Sequence, residues 1–342
     1  LKNRASSGER SYAYAKACGI IGKSFIGQRM NRLNNVNRLT ELDKMIFPGS
    51  SKDLPEKELI VDLEDRIVER AVDSIITIIS CFSKPPDFFT LLLRSYEYMD
   101  IKSVIFSLQM KEKEAPPHLD LGEFQTVHFD AWPDLKAMVK GTEFSFLLDM
   151  ENLLDGHEDL SLQSTLDRQY YKALWKALMA LPKNERTITS KILSDEISLK
   201  DSCLVLRLRT FYGMNADEIK NHLIYVPGRD KKHTSADEAI QCMDFPLDDF
   251  YAWSSWRWSR FLNPLTEPGK WKADPLFFQN KASLYLYEIA KRHFHLHPFS
   301  FDSIFCFIKL KQFEEDILTS SVEGLNMSMN SKDVFSMLGV HT

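Results

Sequence analysis

The sequence predicts an all-α chain, and three observations carry that expectation. Glycine is scarce, with 13 in 342 residues. Alternating β-branched runs are rare. Apolar residues instead recur every three or four positions over long segments, the spacing that lines one face of a helix.

Taken in order, the first clear helix is Leu59 to Ile79, where Ile60, Leu63, Ile67, Val68, Ala71, Ile75 and Ile76 form one stripe between charged residues. Tyr171 to Leu181 repeats the pattern. Breaks fall at Phe47-Pro48-Gly49-Ser50, Lys84-Pro85-Pro86, Ala115-Pro116-Pro117, Leu181-Pro182-Lys183, Val226-Pro227-Gly228 and Asn263 to Gly269. Proline removes a donor and disfavours helix in the residue before it, so each break reads as a helix boundary.

Sliding the chain against itself aligns three ungapped stretches: DIKSVIFSLQMK from Asp100, SLKDSCLVLRLR from Ser198 and SFDSIFCFIKLK from Ser300. Their starts lie 98 and 102 residues apart, a spacing of domain size. Each reads as the start of a buried helix. Asp100, Ser198 and Ser300 are expected N-caps, and Met99, Ile197 and Phe299 before them are expected hydrophobic staples. Ile101, Val104, Ile105 and Leu108 make the stripe in the first copy, and Phe301, Ile304, Phe305 and Ile308 in the third. A second match aligns NADEIKNHL from Asn215 with NSKDVFSML from Asn330, each opening on a capping Asn. The expected units are 1–121, 122–228 and 229–342.

Net charge is −5, from 43 Lys plus Arg against 48 Asp plus Glu, which argues against nucleic-acid binding driven by phosphate neutralisation. Five cysteines, odd in number and without a CxxC pair, read as reduced thiols in an intracellular chain. No apolar run approaches the roughly 20 residues of a membrane span, and the N-terminal segment lacks a signal-peptide core, so a cytoplasmic location is expected.

Candidate chemistry is sparse. Gly22-Lys23-Ser24 lacks the upstream glycines of a phosphate loop. His293, His295 and His297 would face one way on an extended backbone, but a helix would scatter them, and a polar helix end is expected instead of a metal site. Asp155, His157, Glu158 and Asp159 could support acid–base work or form a solvated loop. No catalytic residue, cofactor or metal is expected. The aromatic run Phe250 to Phe261 places Phe250, Trp253 and Trp256 on one helical face and Tyr251 and Trp258 on another. Trp253, Trp256 and Trp258 are therefore candidates for either a partner surface or inter-helix packing.

The repeated helix, the short capped helix after it and the opening YAYAKACGIIGKSF resemble the C/d family of A/V-type (vacuolar-type) ATPase stalk proteins. So do LVLRLRTFYGMNADEIKNHLIYVPG in the middle and FDSIFCFIKLKQFEEDIL with NSKDVFSMLGV at the end. Cys18 stands where that family usually carries Arg. The resemblance implies three similar helical lobes around a pseudo-threefold axis in a funnel. It also implies a non-catalytic socket between the central shaft subunits and the membrane proteolipid rotor ring, peripheral on the cytoplasmic face. If the lobes are related by rotation, Lys111, Arg209 and Lys311, with Arg207 and Lys309 two residues before the last two, form rings at one end of the socket. A helical scaffold unrelated to ion transport and a hydrolase using the acidic cluster are the alternative classes.

Overall fold

The computed structural model describes residues 6–150, 153–154, 159–227, 233–267 and 269–337. Among these, regular structure is helical, with one isolated antiparallel bridge between Pro227 and Thr234. The chain opens with α1 (Ser7–Ile21), α2 (Leu39–Ile46) and α3 (Glu56–Ile79), followed by α4 (Asp87–Leu93) and α5 (Ser95–Gln109). After a stretch of short turns come α6 (Leu135–Val139), α7 (Asp159–Ala180), α8 (Thr187–Tyr212), α9 (Ala216–Lys220) and α10 (Asp237–Cys242). The chain then closes with α11 (Pro275–Phe294), α12 (Phe301–Asn326) and α13 (Ser331–Met337). No helix among the described residues is long and apolar enough to cross a membrane.

Local capping sets several of these boundaries. Ser6 and Glu9 exchange hydrogen bonds in a capping box that starts α1. Asn215 accepts from the amides of Asp217 and Glu218 at 3.1 and 3.0 Å, while Asn330 accepts from that of Asp333 at 2.9 Å, so both expected Asn caps form. Ser300 caps α12 through the Ser303 amide at 3.3 Å. Gly213 ends α8 in the left-handed region at φ 60°, where a side chain would be strained.

Two of the three repeat caps do not form. Asp100 lies inside α5, and Ser198 lies deep inside α8. Both side chains instead make tertiary bonds: Asp100 accepts from the Leu119 amide at 3.1 Å, and Ser198 from the Trp258 indole at 3.0 Å. Two of the three staples fail for the same reason. Met99 and Ile197 are mid-helix, and Phe299, at φ 64°, packs its ring edge-on against Tyr14. The structural counterpart of Asp100 is Asp201, which accepts from the Ile224 amide at 3.1 and 3.2 Å. Each anchors the segment that follows its own helix, and Asp201 lies three residues beyond Ser198, about one turn along the same face.

Those bonds belong to a recurring device. With no sheet among the described residues to absorb extended backbone, the amides of connecting segments need other acceptors. Buried carboxylates on helices supply them. Glu97 takes the amides of Thr126 and Val127 and Glu314 that of Phe25, while Asp302 takes that of Thr189 in the first turn of α8.

Apolar packing gathers into two cores. The larger joins α1, α3, α4, α5, α7 and α12; the smaller is built from α8, α10, the indole-rich turns and the start of α11. Packing crosses the expected unit boundaries, since α12 lies against α3 and α1, and α11 against α8.

Candidate functional site: a hollow between five helices

Three recesses of about 380, 430 and 310 Å³ run together between α5, α7, α8, α11 and α12. The first and second share Gln163; the second and third share Glu196, Ser283, Leu286 and Asp316. Side chains from distant parts of the chain therefore line three adjoining recesses, together called the hollow.

Its polar centre is built in layers. Glu196 of α8 accepts from Tyr171 Oη at 3.1 Å and Lys309 Nζ at 2.9 Å. Asp167 of α7 is flanked by Lys102 at 3.4 Å and Lys200 at 3.2 Å. The cations Lys102, Lys200 and Lys309 are thus matched within the chain. On α12, Glu315 accepts only a neutral donor, Tyr96 Oη, at 2.5 Å. Neighbouring Asp316 is exposed to solvent within the second and third recesses, whose walls crowd it. Burial pushes Glu315 up to about 7 and Asp316 up to about 6, the Tyr96 bond and the Lys309 charge offsetting only part of it.

This arrangement sets a pH dependence. A carboxyl whose pKa is higher in the fold than in the unfolded chain holds its proton more tightly when folded. Its contribution to stability is full below pH 4 and is lost as pH rises through about 6 to 7. Glu315 accounts for on the order of 1 kcal/mol of that loss, after screening by solvent in the hollow. Urea midpoints at pH 5 and pH 8 are expected to differ less in the Glu315→Gln, Asp316→Asn protein than in the wild type; an equal difference in both would contradict the assignment.

The expected cation rings are not formed, because the aligned residues occupy unlike positions. Lys111 follows the end of α5 with its backbone at φ 55° and its side chain exposed. Arg209 is half-buried and donates to the Cys242 carbonyl at 2.8 Å. Lys311 is in the middle of α12, 2% exposed and bonded to Glu314. Of the earlier pair, Arg207 lines the second recess and bonds Gln279, while Lys309 holds Glu196.

The three tryptophans are likewise core residues. The run from Phe250 folds as two short 3-10 turns, Phe250–Trp253 and Ser259–Phe261, so helical spacing does not apply. Trp253, Trp256 and Trp258 all turn inward, 1–2% exposed, and their indole N–H groups reach Pro246 O, Glu238 O and Ser198 Oγ. They offer no surface to a partner. Among the aromatic residues of the run, Tyr251 alone is largely exposed.

The other candidates resolve simply. His293 lies inside α11 and His295 at its C-cap, with His295 Nδ1 2.9 Å from Tyr14 Oη, so the extended backbone that would align three imidazoles is not formed. Gly22 caps the end of α1, and Ser24 donates to the Ile20 carbonyl. Asp155, His157 and Glu158 lie outside the described residues, as does the side chain of Asp159. In the second recess Ser164 Oγ is 2.7 Å from His222 Nδ1 and also within hydrogen-bonding reach of the Leu160 carbonyl one turn back.

Sequence reasoning missed Glu196, Asp316 and the outward face of α5. The signal for the last was present: Met99, Phe106 and Met110 recur at helical spacing opposite the Ile101, Val104, Ile105 and Leu108 stripe.

The family model described as ATP synthase (C/AC39) subunit matches residues 51–334. The chain is also 28% identical over 321 residues to an uncharacterized protein of Treponema pallidum (strain Nichols), an alignment covering 89% of this chain and 88% of that one.

Proposed function

The chain belongs to the ATP synthase (C/AC39) subunit family, which serves the V/A-type rotary complex, and from that premise we propose that it is the non-catalytic socket of the central stalk. In this reading it couples the shaft to the proteolipid rotor ring during ATP-linked ion transport, held at the cytoplasmic face of the membrane through its partners. The observation that carries the reading is the composition of the hollow. Its third recess takes Tyr96 and Met99 from the first third of the chain, Tyr170, Tyr171 and Glu196 from the second, and Leu286, Lys309 and Asp316 from the last. A recess lined by all three thirds of the chain supports the reading, since lobes arranged about a common axis would enclose such a space. Such a cavity can grip the end of a rotating element.

The test is purification from membranes through an affinity tag on this chain. Nucleotide-binding heads and proteolipid are expected to come with it, together with ATPase activity. Recovery of the chain without either would overturn the proposal.

A further inference from the structure

The turn that joins α11 to α12 does more than reverse the chain. His295, Leu296, His297, Pro298 and Phe299 are all exposed, and two of them are large and apolar, Leu296 at 55% and Phe299 at 49%. Phe299 holds its backbone at φ 64°, in the left-handed region that a bulky side chain rarely enters. The base of the turn is fixed to α1. Tyr14 Oη lies 2.9 Å from His295 Nδ1, and its ring meets that of Phe299 edge-on at 5.4 Å and that of buried Phe294 at 5.5 Å. Two apolar side chains are thus left in solvent on a projecting turn whose position is held from below.

Positive charge gathers around it. The turn between α7 and α8 lies alongside, since Glu185 accepts from the Phe301 amide at 3.4 Å and Asp302 accepts from Thr189 Oγ1 at 2.6 Å. Burial pushes the His293 pKa down, and neighbouring His297, Lys191 and Arg292 push it the same way, which places these groups around one spot. The carboxylates here are already committed: Glu185 to Arg10, Asp302 to Thr189 and Glu288 to Lys291. Lys183, Lys191 and Arg292 are exposed, and among the described residues none of them makes an ion pair. In a chain of net charge −5 this end is therefore locally cationic.

We propose that this end of the molecule contacts an anionic lipid surface, with Leu296 and Phe299 entering the headgroup layer and Lys183, Lys191 and Arg292 lying on its acidic groups. Charge complementarity selects an anionic partner, and shape selects the lipid. An acidic peptide is held in a groove, whereas a projecting turn fits a planar, yielding layer in which apolar tips sink and long cationic side chains stay at the phosphates. The inference is separate from the socket reading, in which the chain reaches the membrane through its partners.

The experiment sediments the purified full-length chain with vesicles of phosphatidylcholine alone and of phosphatidylcholine mixed with phosphatidylserine, and titrates it in parallel with soluble polyglutamate. Two variants are compared with the wild type: Lys183→Gln with Lys191→Gln and Arg292→Gln, and Leu296→Ser with Phe299→Asn, asparagine being tolerant of positive φ. Lys44→Gln with Lys57→Gln and Lys332→Gln, exposed cations on α2, the start of α3 and α13, is the control of equal charge. All the substituted side chains are exposed, so unchanged circular dichroism is expected and establishes folding. The wild type is expected to sediment with the phosphatidylserine vesicles and not with phosphatidylcholine alone. Each variant is expected to bind roughly tenfold or more weakly, with the control unchanged. Equal binding to both kinds of vesicle, binding to neither, or wild-type affinity in either variant overturns the inference. A chain that ignores the vesicles and binds polyglutamate would assign this end to an acidic protein segment and overturn the lipid contact. None of these outcomes touches the socket reading, which is tested by what copurifies with the chain.

Discussion

Glu314→Ala is expected to cost the fold about 3–5 kcal/mol, whereas Lys311→Met, one turn away on the same helix, is expected to change stability by less than about 1 kcal/mol. The contrast follows from how charge is distributed in one buried knot. Glu314 is 1% exposed and accepts from Arg70 Nη2 at 2.7 Å, from the Phe25 amide at 2.7 Å and from Lys311 Nζ. Burial opposes its ionisation, but the two cations and the amide outweigh that and keep it charged. Removing the carboxylate strands a lysine that is 2% exposed, orphans a backbone donor and leaves Arg70 half-paired. Removing the lysine does none of this, because Glu314 retains Arg70 and Phe25, and methionine fills the space with apolar atoms. Burial already pushes the Lys311 pKa down, which measures how weakly that ammonium is supported. Urea unfolding of the two variants separates the cases. Equal losses would show that Lys311 is as essential as Glu314 and would contradict this account of the knot.

Trp258→Ala is expected to cost about 3–5 kcal/mol by emptying the smaller core. The indole is 1% exposed, stacks on Phe261 at 5.6 Å between ring centroids and meets Tyr285 edge-on at 5.9 Å. Arg257 lies over its face at 4.2 Å while donating to Asp195 at 2.6 Å, and Asp195 also accepts from Tyr285 Oη at 3.0 Å. Alanine would thus remove packing from one side of a network that joins α8, the 3-10 turns and α11. Tyr251→Ala, on the exposed member of the same run, is expected to fall within about 0.5 kcal/mol of wild type. Thermal and urea midpoints measured on both proteins check the pair. A silent Trp258→Ala would mean that the indole is not a core residue.

How far the sequence could be read depended on the range of the interaction. Ser300, Asn215 and Asn330 were legible as caps because a cap is closed within three residues. Asp100 and Ser198 have the same side-chain chemistry, but their partners, Leu119 and Trp258, lie 19 and 60 residues away, and nothing local distinguishes an anchor from a cap. Helical spacing places the tryptophans on two faces, but two 3-10 turns send all three inward. Lys311 aligns with Lys111 and Arg209, which lie near helix ends, but α12 continues to Asn326 and leaves Lys311 mid-helix. The hollow was least legible, since α5, α7, α8, α11 and α12 meet only after folding. What remained visible was chemical: an acidic run, Glu314 to Asp316, inside an otherwise apolar helix, and a second apolar line on α5.

Electron cryomicroscopy of the rotary complex purified through a tag on this chain tests the central claim most directly. The account predicts density for the chain between the proteolipid ring and the shaft, with a helix end of the shaft seated among α5, α7, α8, α11 and α12. A chain located on the stationary periphery of the complex, or a shaft that ends against some other surface of it, would contradict the account.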